Sequence, residues 1–356
     1  MGKYIAIRVV WVFLVLGIIL TLNYTLIKIA PDYPPTTEEA KEIYYARQVS
    51  DGYMTERVER NEYVVISMGN QEFEIPTNAY YEDEDGRYRI YEPISVALQY
   101  FRWITNIITD WDWGVSTRIA VNQPAFGVLS QRMGITLKLN LIALFFYIPI
   151  GFLFGIIAAL KKNTWIDNVI SFSVMIFISV PSFVLMTLLL MFLGYQWGWV
   201  PTQFPAADLE GSIQFIGLIL PVLGLSFGAI AGLTRTTRAE LTEVLTSEFL
   251  LLARTKGLTK TQAVLRHAMR NSLVPLVPGI IGSFVGLLSG SVIIERIYSI
   301  PGTGRVYLRA MTEGQYDYNV ILVSTAFYTT IGLFAVLLVD LSYGLVDPRI
   351  RMGAKK

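Results

Sequence analysis

The sequence contains no cysteine, one histidine (His267) and only 16% charged residues in 356 positions. Without cysteine there is no disulfide framework and no thiolate metal or redox site. A single histidine excludes a His-rich metal cluster. It also leaves no Ser–His or Cys–His pair for nucleophilic catalysis, because His267 sits among arginines. A soluble globular chain carries about 25% charged residues. The shortfall here, with 53% hydrophobic residues and a mean hydropathy of +0.48, argues against a cytosolic enzyme. The phosphate-cradling pattern Gly, four residues, Gly-Lys-Ser/Thr is also missing. Gly302-Thr303-Gly304-Arg305 is too short, lacks the lysine and reads as a turn. The net charge of +1 points to no polyanionic partner, so no nucleic acid is expected.

What the chain does have is long apolar runs. A membrane-crossing helix needs roughly 20 mostly apolar residues, because each residue rises about 1.5 Å and the hydrocarbon core is about 30 Å thick. Six segments qualify, at about 9–30, 135–160, 166–195, 213–234, 274–297 and 320–346. The first is too long for a signal-peptide core and is followed by Lys28 and Pro31 rather than a small-residue cleavage site, so it reads as a retained helix. Basic residues fix the orientation, since short cytoplasmic segments are rich in Lys and Arg. Lys3 and Arg8, Lys161 and Lys162, the seven bases from Arg235 to Arg270, and Arg349 to Lys356 all fall on one side if the six spans are real. That side is the cytoplasm and holds both termini; Arg296, Arg305 and Arg309 are a minor exception outside. The fold class is therefore an all-α polytopic membrane protein with six transmembrane helices and an inserted extracytoplasmic α+β domain between the first two.

The inserted zone, 31–134, holds 17 acids against 9 bases, net −8, whereas the rest of the chain is +9. Val64 with Ile66 and Phe73 with Ile75 alternate as short strands do. Glu82-Asp83-Glu84-Asp85-Gly86 reads as a hairpin turn between Tyr80-Tyr81 and Tyr88-Arg89-Ile90-Tyr91; it lacks the EF-hand spacing for calcium. From Ile94 to Ile108 apolar residues recur at helical spacing. This segment is an amphipathic helix returning to the bilayer surface or a core helix of the outer domain. Trp103, Trp111 and Trp113 suit a membrane interface. The resulting division is 1–30, 31–134, a core of 135–351 with a loop at 236–271, and a tail of 352–356.

That loop carries the most information. Leu241, Val244, Leu245, Phe249 and Leu252 recur at three and four, as in a helix. Gly257 ends it in the manner of a left-handed cap. Thr259 and Gln262 have capping-box spacing and start a second helix, in which Ala263, Val264, Leu265 and Met269 alternate with Lys260, Arg266 and Arg270. Such a broken hairpin is either a docking element for another protein or an amphipathic linker on the inner leaflet. Gly282, Gly286 and Gly290 line one face of the fifth span, for helix packing or for a pathway. Pro181 and Pro221 are potential kinks. Few strongly polar residues lie deep in the spans, namely Asn23, Asn140 and Asp340; Lys138, Asp167 and Glu295 lie near span ends, where long side chains reach the interface. Asp340 is placed to pair with a loop arginine. This scarcity, with no inverted repeat, weighs against a proton- or sodium-driven carrier.

Ala253-Arg254-Thr255-Lys256-Gly257-Leu258, followed by Arg266-His267-Ala268-Met269-Arg270-Asn271 and Pro275, resembles the cytoplasmic signature of binding-protein-dependent ABC transporter permeases. Within that family it is similar to the B-type membrane subunit of the peptide/nickel group. Leu251-Leu252-Ala253 stand at the family's Glu-Ala-Ala positions and Met269-Arg270 at its Leu-Pro. Tyr100-Phe101-Arg102-Trp103, Asp112 to Ser116, Val180-Pro181-Ser182-Phe183, Glu295 with Ile300 to Arg305, Tyr316-Asp317-Tyr318, and Asp340 with Asp347 to Arg351 extend the likeness in order. It covers about 1–30 and 97–351, leaving 31–96 as an insertion.

The resemblance implies the type I importer permease fold and the membrane subunit of an ATP-driven importer of oligopeptides or dipeptides. It implies a homologous C-type permease subunit, two ABC ATPase subunits that bind the ATP and Mg, and an extracytoplasmic substrate-binding protein. This chain then holds no cofactor and no metal, and is not itself an enzyme. Leu252, Ala253, Arg254, Thr255, Lys256, Gly257 and Leu258 enter the ATPase, with Arg266, His267 and Arg270 on the second loop helix. His267 packs that helix rather than sensing pH. The cellular site is the cytoplasmic membrane of a bacterium or archaeon, in contact with lipid. Other readings are import of nickel or another peptide-like solute, or a membrane-anchored receptor acting through 31–134.

Overall fold

Long apolar stretches become long helices, because only a helix satisfies every backbone group within its own segment. A computed structural model describes residues 2–30, 34–60, 65–68, 71–74, 80–82, 87–206, 211–288, 292–314 and 316–346. The order begins with α1 (Gly2–Ile29), α2 (Glu38–Ser50), β1 (Met54–Arg60), β2 (Val65–Met68), β3 (Gln71–Glu74), β4 (Tyr80–Glu82), β5 (Arg87–Pro93) and α3 (Val96–Asp110). It continues with α4 (Ala125–Leu160), α5 (Trp165–Ser179), α6 (Ser182–Leu189), a π-helical stretch Leu190–Gln196 and α7 (Gly211–Leu245). Then come α8 (Glu248–Thr255), α9 (Lys260–Ala263), a π-helical turn Val264–Ala268, α10 (Met269–Leu288), α11 (Val292–Ile297), α12 (Thr303–Ala310) and α13 (Tyr318–Val346).

Among the described residues four helical segments are long and apolar enough to cross a membrane: Ile5–Ile29, Ala125–Leu160, Gly211–Leu245 and Tyr318–Ser342. One expected span differs from a straight helix. The third breaks between α5 and α6, whose axes bend by 100°. Pro181 is the cause. It has no N–H to continue the ladder, and its ring forces the preceding Val180 into an extended conformation, φ −87° and ψ 123°. Pro221, by contrast, lies within α7 without ending it. Residues 289–291 of the fifth lie outside the described residues, and within it Asn271–Ser283 is a shorter apolar helix.

Contacts divide the chain into two units. The first comprises Met1–Leu16, Arg132–Leu308 and Phe327–Lys356. One apolar cluster in it joins Leu139 and Ala143 of α4, Met186 of α6, Leu218, Leu220 and Val222 of α7, and Ile294, Tyr298 and Ile300. Glycine permits the close approach: a methyl group on Gly224 would collide with Met186, and one on Gly155 would lie 2.5 Å from Thr237 Cβ. Asp340 is paired here, with Arg8 at 3.1 Å rather than with a loop arginine. Glu295 is fully buried rather than extended toward an interface.

The second unit comprises Gly17–Gln131 and Arg309–Ala326. Its strands follow the alternation in the sequence. β2 pairs antiparallel with β3, Ile66 opposite Phe73, and β5 lies between β1 and β4 in a three-stranded antiparallel sheet. Tyr80 faces Ile90 and Glu82 faces Tyr88. The expected turn residues Asp83 to Gly86, like Val64 and Ile75, lie outside the described residues. α3 is amphipathic, with Gln99 and Trp103 buried and Phe101 and Ile108 exposed. Trp103 and Trp113 are core residues of this unit, their rings 5.9 Å apart, and only Trp111 of the three tryptophans is exposed. The interface reading therefore does not hold for Trp103 and Trp113: neighbouring rings, Tyr24 at 4.8 Å among them, cover Trp103.

Asp317 organises this unit. One of its carboxylate oxygens accepts from Ser116 Oγ at 2.5 Å and from the backbone N–H groups of Thr117, Arg118 and Ile119 at 3.0–3.1 Å. Three successive N–H groups aimed at one anion form a nest. Asn319 donates to the carbonyl of Val115 at 2.8 Å. Gly114, at φ +82°, leaves the space that Asn319 occupies.

Candidate functional site

The segment from the end of α7 to the start of α10 lies within the first unit. α7 ends at Leu245, and α8 starts three residues later. Apolar periodicity runs straight through this point, so the sequence reading carries a single helix across it. Two hydroxyls bond back to the chain at this point. Thr246 Oγ1 donates to Glu243 O at 2.9 Å and Ser247 Oγ to Val244 O at 2.6 Å, competing with the helical ladder. Glu248 then occupies the first turn of α8, where a carboxylate suits the positive end of the helix.

α8 ends as the sequence predicts. Gly257 has φ +93°, and the N–H of Leu258 reaches back to Ala253 O at 3.4 Å, the six-to-one bond of a Schellman cap. Among the described residues nothing lies within 4 Å of where a Gly257 Cβ would sit, so backbone conformation and not crowding selects glycine here. The capping box is also formed. Thr259 Oγ1 accepts from the N–H of Gln262 at 3.3 Å, and Gln262 Oε1 accepts from the N–H of Thr259 at 3.2 Å.

Among the described residues, one side of this hairpin is anchored. Leu250, Ala263 and Ala268 are buried with Ala159 of α4 and Leu241 of α7, and Ile156, Val244, Leu245 and Leu258 pack around them. Burial of Leu250 alone is worth roughly 1.5–3 kcal/mol. The opposite side of α8 presents Phe249, Leu251 and Leu252, the last two 63% and 57% exposed. Lys256 and Gly257 are exposed beside them, and Ala253 is half-buried. Thr255 donates its hydroxyl to Leu252 O and is spent on its own helix. The result is a rigid apolar ledge on an anchored hairpin, rimmed by polar groups.

Of the second loop helix, Arg266 and His267 are exposed. His267 does not pack the helix as expected, because Ala263, Val264 and Ala268 take the buried positions around the π-helical turn. The side chains of Arg254 and Arg270 lie outside the described residues. Gly282 makes ordinary contact with α13, its would-be Cβ 3.6 Å from Val339. Gly286 is helical; Gly290 and the Asp347 to Arg351 motif lie outside the described residues.

Two further groups brace the elements that carry the ledge. Asp167, at the start of α5 and 2% exposed, receives both Nε and Nη2 of Arg238 on α7, at 2.6 and 2.8 Å. The N–H of Asn163 adds a third bond at 2.9 Å. A planar guanidinium fork on both carboxylate oxygens is directional as well as strong. Glu295 accepts from Thr136 Oγ1 at 2.8 Å and from the N–H of Arg305 at 2.9 Å. Gly302 to Arg305, expected as a turn, instead enters the first turn of α12, and its glycines leave room for the carboxyl group of Glu295. Position in the chain gave no sign of either partner, Arg238 or Thr136.

Comparison with known proteins fits this construction. Residues 151–352 match the family described as the binding-protein-dependent transport system inner membrane component. The dipeptide transport system permease protein DppB of Lactococcus lactis subsp. cremoris is 37% identical over 254 residues, covering 71% of this chain and 80% of that protein. The oligopeptide transport system permease protein OppB of Haemophilus influenzae is 28% identical over 351 residues, covering 99% of this chain and all of that one. Among solved structures, the MetNI methionine ABC transporter in an inward-facing conformation is similar in fold, with a TM-score of 0.50 at 19% identity over 62% of this chain and 97% of that one. The chain is a multi-pass membrane protein and belongs to the binding-protein-dependent transport system inner membrane component family.

Proposed function

We propose that this chain is the permease subunit of an ATP-driven importer of dipeptides or oligopeptides, forming half of the translocation pathway. The observation that carries the reading is the 37% identity to a dipeptide permease across 80% of its length. Six crossings follow if the bent pair α5–α6 is one span and α10 with α11 another. The basic clusters then put the α7–α10 hairpin and both termini in the cytoplasm. The partners are a homologous C-type permease, two ATPase subunits that bind and hydrolyse ATP with Mg, and an extracytoplasmic binding protein that delivers the peptide.

The exposed ledge of Phe249, Leu251 and Leu252 supports the docking role. On this reading it sits in a groove of an ATPase subunit, with Lys256 at the rim. The break at Thr246–Ser247 and the Gly257 cap isolate α8 as a short rigid rod between two bends. Leu250 ties that rod to Leu241 and Ala159. Displacement of α8 when the two ATPases close is therefore passed to the ends of α7 and α4, a rigid-body movement of packed elements.

The test is co-purification of ATPase subunits from detergent-extracted membranes, at equal membrane abundance of each variant. Gly257→Pro demands a φ near −65° where the chain has +93°. Leu252→Asp charges the ledge without touching the anchored side. Both variants are expected to lose the ATPases that wild type retains. Full recovery with Leu252→Asp, or none with wild type, would overturn the docking role.

A further inference from the structure

The second unit contains a cavity of about 220 Å³ that the coupling mechanism does not use. All of its walls belong to that unit: the last turn of α1, α2, α3, the 113–117 segment and the start of α13. Aromatic rings form much of the wall, from Tyr24, Tyr44, Tyr53 and Trp103. The buried indole N–H of Trp103 has no hydrogen-bond partner among the described residues. Buried amide side chains, Gln48 and Gln99, line it as well.

The charges in the wall are unequal. Arg47 is shared between two carboxylates, Asp51 at 3.3 Å and Asp112 at 2.9 Å. One guanidinium against two acids leaves this cluster at −1, and of the two acids Asp51 is the one that lines the cavity. Burial, with Asp112 nearby, pushes the Asp51 carboxyl above its usual range in spite of Arg47. Lys28 stands elsewhere on the same wall, its ammonium 5.6 Å from the centre of the Tyr24 ring. The wall thus brings an acid, amide groups and ring faces to one small volume.

We propose that this cavity binds a short peptide, its terminal ammonium at Asp51 and its side chains against the aromatic wall. Ring faces favour a cation as well as apolar groups. Volume decides the length: about 220 Å³ falls below the roughly 300–1,000 Å³ of pockets for drug-sized ligands, which suits a dipeptide and not a long chain. The identification of the ligand as a peptide rests on the importer reading above.

The experiment is equilibrium binding of radiolabelled alanylphenylalanine to the assembled importer in nanodiscs, without the substrate-binding protein. Saturable binding is expected, weakened about tenfold or more by Asp51→Asn, since a charge-assisted contact is lost. Because that variant also frees Arg47 from one partner, a second arm leaves the protein unaltered: N-acetylated alanylphenylalanine, which has no ammonium, should fail to compete. No saturable binding, or equal competition by the acetylated peptide, would overturn the site. Competition by glycerophosphoethanolamine but not by unlabelled dipeptide would overturn it in favour of a lipid headgroup. Uptake of the same peptide by the complete transporter in proteoliposomes separates the two readings. Uptake without importer binding refutes the site and leaves the importer standing; Asp51-dependent binding without uptake supports the site and refutes the importer.

Discussion

Asp317 offers the most direct check on how the second unit is held together. Ser116 is fully buried and Thr117 is 6% exposed, and both donate to the same Asp317 oxygen. In Asp317→Ala these two donors lose their acceptor in a place water does not reach. A buried donor left without an acceptor costs about 1–3 kcal/mol, so the pair costs about 2–6 kcal/mol. The N–H groups of Arg118 and Ile119 are partly exposed and recover water. Asp317→Asn keeps one oxygen for the nest but loses the charge and the oxygen that accepts from the N–H of Val320. Charge-assisted bonds are about twice as strong as neutral ones, so its cost is about half that of alanine. The assay is thermal unfolding of the purified chain in detergent, followed by tryptophan fluorescence; Trp103, Trp111 and Trp113 all lie in this unit. At roughly 3 °C per kcal/mol, alanine should lower the midpoint by about 6–18 °C and asparagine by about half as much. An alanine variant melting with wild type, or an asparagine variant melting below alanine, would refute the nest as the unit's main polar tie.

Two more predictions concern the first unit. Gly302→Ala should destabilise by about 1–3 kcal/mol, because its methyl group meets the carboxylate oxygens of Glu295 at 2.5 Å in a site with no slack, whereas Gly282→Ala, with only ordinary contact to Val339, should be nearly neutral. Thermal midpoints of the two variants side by side check this; equal effects would refute it. The Asp167–Arg238 pair should respond asymmetrically. Arg238→Gln strands a carboxylate that is 3% exposed and should cost about 3–5 kcal/mol, while Asp167→Asn leaves a guanidinium side chain 32% exposed that can turn to water and should cost less. Arg238→Lys should rescue little, since it cannot supply the two-pronged contact. A double-mutant cycle on the thermal midpoint measures the coupling, and a coupling near zero would dismiss the pair as a brace.

How much of this was readable beforehand divides by range along the chain. The Gly257 cap and the Thr259–Gln262 box were legible because each depends on residues within five positions. The β4–β5 hairpin was legible from its turn residues, whereas β2 and β3 were legible as strands but not as a pair. Breaks were harder. Pro181 signalled a kink but not a bend of 100°, because a proline removes one bond and tertiary packing sets the angle. The break at Thr246–Ser247 falls in a helix whose apolar period is intact on both sides, so the side-chain pattern concealed it.

The acids embedded among apolar residues teach something more general. Asp167, Glu295, Asp317 and Asp340 all have defined partners, and the partners stand 71, 159, about 200 and about 330 positions away. No local pattern names Arg238, Thr136, Ser116 or Arg8. Their existence was nevertheless derivable, since a carboxylate removed from water without donors costs several kcal/mol and a folded chain does not retain it. The family signatures carry the same information in another form. Asp112 to Ser116 and Tyr316-Asp317-Tyr318 looked like two separate motifs, and the structure joins them through one carboxylate. A motif that sequence comparison records as two short words can thus be a single polar contact, and an isolated acid inside such a word is the place to search for the other half.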